Sequence, residues 1–360
     1  MFKNVFNRFF PIPAFLSMPS FGLDISDESV KYISFATTKN GLRVDKYGER
    51  KVPAGAIEAG KIKDPKKLEE ILNSIRLSQG IKSVRVSLPE EQVYLFQMKL
   101  DKIGLVSVRE GIELSMEEHI PIPVQDAIFD YEILGETSTS LDLQVAAIPK
   151  NVIDNYLAVF KNAEMLVPSF ELEAQAISRS VIKRGDLDTY MIVDFGDKRT
   201  GIFIVSRGVV RFTSTLDVGG IMLTAMIAKS FNLNTEEAEK MKIEYGLQRN
   251  VGNKEIFAVL LNSVSVLRDE IVKHFLYWQT HQDEVGNSNP PIKKIILCGG
   301  ESNLIGLADY LSVSTKSKVE IADVWVNVLN TEDEIPEIDA KIALSFATAI
   351  GLALGNFEHD

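Results

Sequence analysis

The chain has 360 residues, of which 45% are hydrophobic and 25% are charged, so it can bury at least one large core. This composition excludes intrinsic disorder, collagen and a coiled coil as descriptions of the whole chain. The net charge of −11 attracts no phosphate backbone, and we therefore expect no nucleic-acid partner. The single cysteine, Cys298, rules out an internal disulfide, and the four His residues show no metal-ligand spacing. These counts indicate a reducing compartment.

Residues 1–20 are predicted to form a tail that contains a short basic amphipathic helix. Lys3 and Arg8 give one face of this helix a positive charge, and no acidic residue precedes Asp24. The opposite face is apolar and consists of Phe2, Val5, Phe6, Phe9 and Phe10. A helix this short orders only against another surface. It packs on the body of the protein, stays disordered, or orders against a partner or peripherally against a membrane surface.

Beyond Ser20 the pattern changes to alternating strands and helices. Strands are predicted over 21–25, 30–37 and 42–47, and Asn40-Gly41 supplies a tight hairpin turn between the last two. A helix over 64–77 begins with Asp64 as N-cap and Pro65 in its first turn. A strand over 83–87 follows. Together these elements predict a meander followed by one α/β unit.

A second copy of this pattern begins near Met191. Strands are predicted over 191–195, 200–206 and 209–215, and a helix follows over 220–230. In both copies an apolar strand ends with an aspartate, Asp24 in the first and Asp194 in the second, before a polar turn. The simplest cause is an internal duplication, which places the two hairpins on either side of one cleft. Backbone N–H groups of such turns can cradle phosphate, and the aspartates can hold hydrated Mg²⁺.

A third element lies near the C-terminus, where an apolar strand over 294–297 enters a Gly299-Gly300 turn and then a helix that reaches Leu311. Paired glycines at a strand-to-helix turn let the backbone approach a flat ligand or a phosphate closely. The apolar segment from Ile342 to Leu354 is interrupted by polar and small residues, and we expect it to be a buried helix rather than a membrane span.

With these three elements in this order, the sequence resembles the actin-like ATPase superfamily and, within it, the PilM family of type IV pilus assembly proteins. The matching segments are Gly22-Leu23-Asp24-Ile25-Ser26, Asp194-Phe195-Gly196-Asp197-Lys198-Arg199-Thr200, Gly299-Gly300-Glu301-Ser302-Asn303-Leu304 and the Ile120-Pro121-Ile122-Pro123 run before Phe129-Asp130-Tyr131. The resemblance implies an α/β fold in which two duplicated actin-like (ribonuclease H-like) halves flank a nucleotide cleft. It also implies an inserted small α+β subdomain.

The implied domain limits are a tail at 1–20, a first half at 21–190 and a second half at 191–360, with the insertion at about 86–167. The implied cofactors are ATP and Mg²⁺, and Asp24 and Asp194 are the implied metal ligands. The implied nucleotide contacts are Asp24, Ser26, Ser29, Lys31, Asp194, Gly196, Thr200, Gly219, Gly220, Glu237, Lys240, Gly299, Gly300 and Glu301. Glu237 and Lys240 can also be read as ordinary first-turn and surface residues of a capped helix.

The first hairpin departs from the family pattern because Ser26 replaces a usual glycine and Asp27 and Glu28 replace hydroxyl residues. Two extra carboxylates repel a triphosphate unless a metal ion or the geometry intervenes. An actin-like architecture that has lost its nucleotide therefore stays open as an alternative. Glu173 is the residue that the resemblance implies for orienting water at the γ-phosphate, and we expect at most a slow ATPase.

The resemblance also implies a partner, the N-terminal peptide of a PilN-like inner-membrane protein, and a position at the inner face of the cytoplasmic membrane. The expected docking residues lie where the first half meets the insertion and are Leu88, Pro89, Ile120 and Pro121. These residues can instead simply close the core of the insertion. A pilus motor ATPase is a further implied partner.

Two other functions stay open. A small-molecule kinase of the same superfold would carry a catalytic Asp in a substrate domain that is not visible here. A cell-division filament protein resembling FtsA would end in an amphipathic membrane helix, whereas residues 355–360 are polar and acidic.

Overall fold

The computed structural model describes residues 20–38, 41–102, 107–248, 254–281, 288–329 and 335–357. The predicted amphipathic tail lies outside these residues, and so does Asn40 of the first predicted turn. The strands are β1 (Phe21–Ile25), β2 (Ser29–Thr38), β3 (Gly41–Lys51), β4 (Ile57–Glu58), β5 (Lys61–Ile62), β6 (Ser83–Leu88), β7 (Tyr94–Asp101), β8 (Ala127–Glu136), β9 (Ser140–Pro149), β10 (Leu166–Leu172), β11 (Thr189–Phe195), β12 (Thr200–Ser206), β13 (Val209–Leu216), β14 (Ile292–Cys298) and β15 (Val319–Ile321). The helices are α1 (Pro65–Gln79), α2 (Val108–Ser115), α3 (Lys150–Asn162), α4 (Glu173–Val181), α5 (Gly220–Phe231), α6 (Thr235–Tyr245), α7 (Lys254–Thr280), α8 (Leu307–Thr315), α9 (Ala340–Ala343) and α10 (Ala347–Leu354).

Local signals fix the helix ends, as α1 illustrates. The Asp64 side chain accepts a hydrogen bond from the Lys67 N–H, and Pro65 occupies the first turn. Gly80 ends the helix at φ 71°, a left-handed conformation that glycine adopts without strain. The buried face consists of Leu68, Leu72 and Ile75. The predicted helix over 64–77 is therefore confirmed.

Two five-stranded sheets share one topology, with strand orders β10-β6-β1-β2-β3 and β13-β12-β11-β14-β15. In the first sheet, β1 pairs antiparallel with β2 and parallel with β6. In the second, β11 pairs antiparallel with β12 and parallel with β14. The aspartate-bearing strands β1 and β11 therefore occupy equivalent central positions, as the predicted duplication requires.

A smaller sheet, of order β7-β9-β8, begins after β6 of the first half. Together with α2 it encloses a core of its own that includes Ile112, Met116, Ile120 and Phe129. This subdomain lies within the predicted limits of about 86–167. The margins of that range pack elsewhere, because β6, α3 and β10 contribute to the core of the first half.

The C-terminal helices join the two halves. α10 is buried along its whole length and packs with α4 in a core that takes residues from both large sheets. Glycines permit this close contact, since a Cβ on Gly351 would overlap the Ala176 carbonyl and one on Gly22 would overlap Ala349. By length and composition Ala340–Phe357 could cross a membrane, with a mean hydropathy of 1.4, but 67% of this segment is buried inside the protein. A buried core helix has the same composition.

Candidate functional site

The first hairpin places Asp24 at the end of β1. Its carboxylate is 9% exposed and accepts a hydrogen bond of 2.8 Å from the Ser87 hydroxyl. Burial raises the pKa of Asp24, and Lys31, which lies opposite it in the strand register, opposes that rise. The Ser26 hydroxyl accepts hydrogen bonds from the backbone N–H groups of Glu28 and Ser29. Ser26 thus stabilises the turn by using backbone donors that a phosphate would otherwise contact.

The second hairpin places Asp194 in the equivalent position on β11. Burial, followed by the charge of Asp24, raises the pKa of Asp194 to about 6. The turn closes through a 3.0 Å hydrogen bond from the Gly196 N–H to the Arg199 carbonyl. Gly299, at φ 85°, lies so close that a Cβ there would overlap the Phe195 carbonyl and the Asp194 carboxylate. The second hairpin and the Gly299-Gly300 turn therefore form one packed unit, and position 299 requires glycine.

The two hairpins line one cleft of about 150 Å³, which is smaller than the about 300–1,000 Å³ that is typical of small-molecule sites. Seven of the predicted nucleotide or catalytic residues line it: Asp24, Ser26, Lys31, Glu173, Asp194, Gly196 and Gly299. The others do not: Ser29, Thr200, Gly219, Gly220, Glu237, Lys240, Gly300 and Glu301. Ser29 and Thr200 stabilise the hairpins without lining the cleft. The Ser29 hydroxyl accepts a hydrogen bond from the Lys31 ammonium, and the Thr200 hydroxyl donates one to the Val218 carbonyl. The cleft thus unites residues that are 275 positions apart in sequence, from Asp24 to Gly299.

Cations of the second hairpin neutralise the extra acids of the first. Arg199 forms an ion pair of 2.8 Å with Asp27 and a second one with Glu91, and Lys198 pairs with Glu28. Asp27 also accepts hydrogen bonds from the backbone N–H groups of Ala59 and Gly60. Because Asp27 and Glu28 are paired across the cleft, they do not present two free negative charges to a bound phosphate.

The wall of the cleft that faces the hairpins is acidic. Burial, followed by the charge of Asp24, raises the pKa of Glu173 well above its usual range. Glu90, which is 5% exposed, accepts a hydrogen bond from the Ala174 N–H, and burial raises its pKa to about 7. No local sequence pattern places Glu90 and Glu91 beside Glu173, because the long-range pairing of β6 with β10 brings these segments together.

The acid and the lysine that α6 directs into the protein interior are not the predicted pair, Glu237 and Lys240. Glu237 and Asn234 form a capping box at the helix start, and exposed Lys240 pairs with Glu236. The buried lysine is Lys242, which pairs with Glu239 at 3.0 Å and with Glu301 at 2.9 Å. Glu237 and Lys240 lie on the exposed side of the helix, and their contact with a nucleotide stays a prediction. Buried Ala238, four residues before Lys242, was the signal that could have identified this side.

The three remaining glycines of the prediction differ in what surrounds them. A Cβ on Gly219 would overlap the backbone of Asp197 and Lys198, and one on Gly220 would overlap the Glu301 carboxylate. Gly300 is open, since the nearest atom to such a Cβ is the Ser345 Cβ at 3.7 Å. Gly219 and Gly220 therefore allow the start of α5 to contact the second hairpin and Glu301 directly.

The cleft has the chemical groups that Mg²⁺ and a polyphosphate require. The carboxylates of Asp24 and Asp194 are oxygen donors of the kind that Mg²⁺ prefers. Lys31 offers positive charge to phosphate, whereas Lys198 and Arg199 are already paired with carboxylates of the first hairpin and with Glu91. In the described parts of the chain, no group of three or more His, Cys, Asp or Glu side chains is arranged to hold a metal directly. Two carboxylates acting through water molecules are consistent with how Mg²⁺ keeps its hydration shell.

A second cavity of about 420 Å³ lies between the first half and the small subdomain. Its walls are mainly apolar and are formed by Leu88, Leu95, Ile128, Phe129, Ile148, Ile153, Phe170 and Leu172, and Asp130, Glu132 and Glu171 lie among them. We call this cavity the groove. β8 and β10 are the outermost strands of their sheets, and both border it.

Of the predicted docking residues, Leu88 alone lines the groove. Pro89 lines the cleft instead, and Pro121 is exposed outside the groove. Ile120 is 5% exposed and belongs to the core of the small subdomain, so the simpler reading of that residue holds. The expected junction is present, but apart from Leu88 its apolar walls come from β7, β8, β9, α3 and β10.

Comparison with known proteins identifies this architecture. The sequence model of the family described as type IV pilus assembly protein PilM matches residues 22–357. The cell division protein FtsA of Neisseria meningitidis serogroup B is 22% identical over 299 residues, which are 70% of this chain and 69% of FtsA. The structure of a PilM-PilN type IV pilus biogenesis complex is similar with a TM-score of 0.79 and 20% identity, over 95% of this chain and 99% of that chain.

MreB5 of Spiroplasma citri bound to ADP is also similar, with a TM-score of 0.54 and 14% identity, over 92% of this chain and 94% of MreB5. These structures show that the fold is actin-like. The family match spans nearly the whole chain and includes both hairpins, the small subdomain and the glycine turn. The chain therefore belongs to the PilM family of type IV pilus assembly proteins.

Proposed function

We propose that this chain is an ATP-binding adaptor at the inner face of the cytoplasmic membrane, where its groove binds the N-terminal peptide of a PilN-like membrane protein. The observation that carries this proposal is the groove, which combines apolar walls with two outermost strands at a subdomain junction. An extended peptide can pair its backbone with such a strand while its apolar side chains fill the pockets beside it. The similar PilM structure was solved as a PilM-PilN complex, which supports the choice of partner.

The acidic residues in the groove favour a particular kind of peptide. Asp130 and Glu132 belong to β8, and both point a negative charge at the rim. On the opposite wall Glu171 is already paired with Arg85 and Arg179, at 2.8 and 2.7 Å. A peptide with apolar anchors and a basic residue near β8 therefore fits better than an acidic one.

We propose that Mg-ATP occupies the cleft. Asp24 and Asp194 would hold a hydrated Mg²⁺, while Lys31, Lys198 and Arg199 would contact phosphate oxygens. The presence of ADP in the similar MreB5 structure supports this assignment. The Gly299-Gly300 turn and the buried face of α6 would then border the nucleoside.

Turnover in this cleft would be slow. Glu173 is the candidate for orienting water, but its raised pKa keeps it protonated more readily than an ordinary glutamate as long as the cleft holds no cation. A protonated carboxyl is a poor acceptor for a proton of water.

A position at the inner face of the cytoplasmic membrane would bring the chain next to a pilus motor ATPase and would let the tail at 1–20 contact the membrane.

Fluorescence anisotropy with a labelled synthetic peptide of the PilN-like partner tests the groove assignment. Ile128→Asp places a charge in the groove at a side chain that is 37% exposed, so the fold should tolerate it, and we expect peptide binding to be lost. Ile133→Asp is the matched control, because Ile133 lies on the same strand, is 50% exposed and does not line the groove. Equal peptide affinity in the parent and both variants would place the docking surface elsewhere.

A further inference from the structure

A third cavity, of about 670 Å³, lies where the small subdomain meets both halves, and we call it the adjoining cavity. The end of α4 and the loop that follows it form one wall, and β8 forms another. Gly208 and Val209, where β12 turns into β13, bring the second half into this lining. Every residue that lines the groove belongs to the first half or to the small subdomain. The adjoining cavity therefore differs from the groove in contacting the second half as well.

The adjoining cavity is continuous with the groove. The residues that line both are Asp130, Glu132, Gln144, Phe170, Glu171 and Gln175. Along β8, Ile128 lines the groove alone, and the shared residues come after it. Along β10 the order is reversed, since Ser169 lines the adjoining cavity alone and Leu172 lines the groove alone. An extended chain that follows β8 through the groove therefore reaches the adjoining cavity.

The junction of the two cavities carries negative charge. Asp130 and Glu132 are exposed, and no described side chain forms an ion pair with either. Glu171 also lies there, but Arg85 and Arg179 pair with its carboxylate at 2.8 and 2.7 Å. A positively charged residue of a bound chain would therefore be stabilised beside β8.

The part of the adjoining cavity away from the groove carries positive charge from Lys183 and Arg184. Both side chains are exposed, and none of the ion pairs between described residues includes them. Asp186 lines the same part, but its carboxylate accepts hydrogen bonds of 2.7 Å from the Tyr190 hydroxyl and 2.9 Å from the Asp188 N–H. Two cations therefore lie beside one acid that already has partners, and they suit an acidic side chain of a bound chain.

On the basis of the proposed peptide site, we propose that the adjoining cavity binds the segment of the PilN-like partner that follows its N-terminal peptide, and that an acidic side chain of this segment pairs with Lys183 and Arg184. An N-terminal peptide is attached to the rest of its protein at one end, so the chain must leave the groove, and the adjoining cavity is a continuous way out. The charges fit a basic residue beside β8 followed by an acidic residue. Because this segment also meets Val209, it links the second half to the first.

Fluorescence anisotropy of the full chain with two labelled synthetic peptides tests this proposal. The short peptide contains the first roughly six residues of the partner, which span about 20 Å as an extended strand, and the long one contains roughly twelve. We expect the long peptide to bind roughly tenfold more tightly at low salt, and this advantage should shrink as NaCl is added. Reversing both charges, in Lys183→Glu with Arg184→Glu, should remove the advantage and leave the affinity of the short peptide unchanged.

Two further variants separate this contact from net charge and from loss of fold. Lys63→Glu with Lys66→Glu makes the same change of charge at exposed lysines that line none of the three cavities, and we expect no effect on either peptide. Val209→Trp fills the adjoining cavity from the second half and should weaken the long peptide only. Thermal unfolding checks that each variant is folded, and if the charge reversal does not fold, Val209→Trp decides the question.

The outcomes are distinct. Equal affinity of the short and long peptides for the parent, with clear binding of both, overturns the role of the adjoining cavity and leaves the proposed function intact. No binding of either peptide overturns both. A charge reversal that spares both peptides but abolishes cosedimentation with vesicles of anionic lipid would assign Lys183 and Arg184 to a membrane contact and would also overturn the proposal.

Discussion

The two hairpins occupy equivalent places in the two halves but carry opposite charges. In each, a buried aspartate ends the central strand of a five-stranded sheet, with one antiparallel and one parallel neighbour. The turn that follows Asp24 carries Asp27 and Glu28, whereas the turn that follows Asp194 carries Lys198 and Arg199. Ion pairs join these turns across the cleft. A carboxylate that would repel phosphate in one hairpin can therefore be neutralised by a cation of the other hairpin.

The two turns also differ in how they use their backbone donors. Ser26 of the first turn accepts hydrogen bonds from two backbone N–H groups, and its own N–H donates to the Ser29 carbonyl at 2.9 Å. In the second turn the Gly196 N–H likewise donates to the Arg199 carbonyl at 3.0 Å, but glycine has no side chain that could occupy further backbone donors. The second hairpin is therefore the stronger candidate for contacting phosphate directly, and the first acts mainly through charge.

The largest effect is expected at Glu173, which lies in the cleft with both aspartates. Glu173→Gln should abolish the slow release of phosphate while leaving Mg-ATP affinity intact, because the amide cannot accept a proton from water. A sensitive phosphate-release assay and calorimetry on the same preparation measure both quantities. Phosphate release by the parent should stay far below about 1–10³ s⁻¹. Stimulation by a sugar or a carboxylic acid would favour the kinase alternative, and an unchanged rate in the variant would remove Glu173 from this role.

The next largest effect distinguishes the contributions of Asp24 and Asp194 to Mg-ATP binding. Asp194→Ala should weaken Mg-ATP binding by about 2 kcal/mol or more, because it removes a carboxylate that holds the metal. Asp24→Ala should weaken Mg-ATP binding less, because the Lys31 ammonium already compensates the negative charge of Asp24. Calorimetry in the presence of Mg²⁺ measures the ATP affinity of both variants. Equal ATP affinity in Asp194→Ala and the parent contradicts the site.

The ion pairs across the cleft can be tested with a double-mutant cycle. Arg199→Ala removes a cation and exposes Asp27 and Glu91, and we expect it to weaken ATP binding by about 1–2 kcal/mol. Adding Asp27→Asn should restore part of the affinity, because one of the freed charges is gone. Additive losses in the double variant would show that the acids of the first hairpin are not neutralised by Arg199.

The smallest expected effect is that of Glu90 on the free energy of unfolding. Its pKa rises from 4.5 to about 7 in the folded protein, so the folded state binds more protons than the unfolded state between these values. The contribution of Glu90 to the free energy of unfolding therefore falls as the pH rises from about 4.5 to about 7. Glu90→Gln should stabilise the metal-free protein by about 1 kcal/mol at pH 8 and by less at pH 5. Urea unfolding at the two pH values measures this, and a gain that is equal at both would refute the assigned pKa.

Several elements were predictable because their signals are local. The strands around Asp24 and Asp194 and the first long helix follow from alternation, turn residues and an N-cap, and the structure places their ends within a few residues of the prediction. Most of the segment from Ile342 to Leu354 is buried as expected, because Gly351 and its small neighbours suit close packing against Ala176. Ile342 itself is 55% exposed.

Other features depend on tertiary contacts. An acid and a lysine three residues apart occur twice on α6, as Glu237 with Lys240 and as Glu239 with Lys242, and spacing alone does not distinguish the buried pair. Glu90 follows a strand whose neighbour, β10, comes about 80 residues later in the chain. The apolar run at Ile120 was compatible with a docking surface or a core, and only the packing of the small subdomain decides between them.

Hydrogen–deuterium exchange of the full chain with the PilN-like peptide tests the central claim most directly. We expect new protection of backbone amides in β8 and β10, the two strands that border the groove, whereas added Mg-ATP should protect the two hairpins instead. Peptide-induced protection confined to other segments, with β8 and β10 exchanging as in the free protein, would contradict the adaptor assignment.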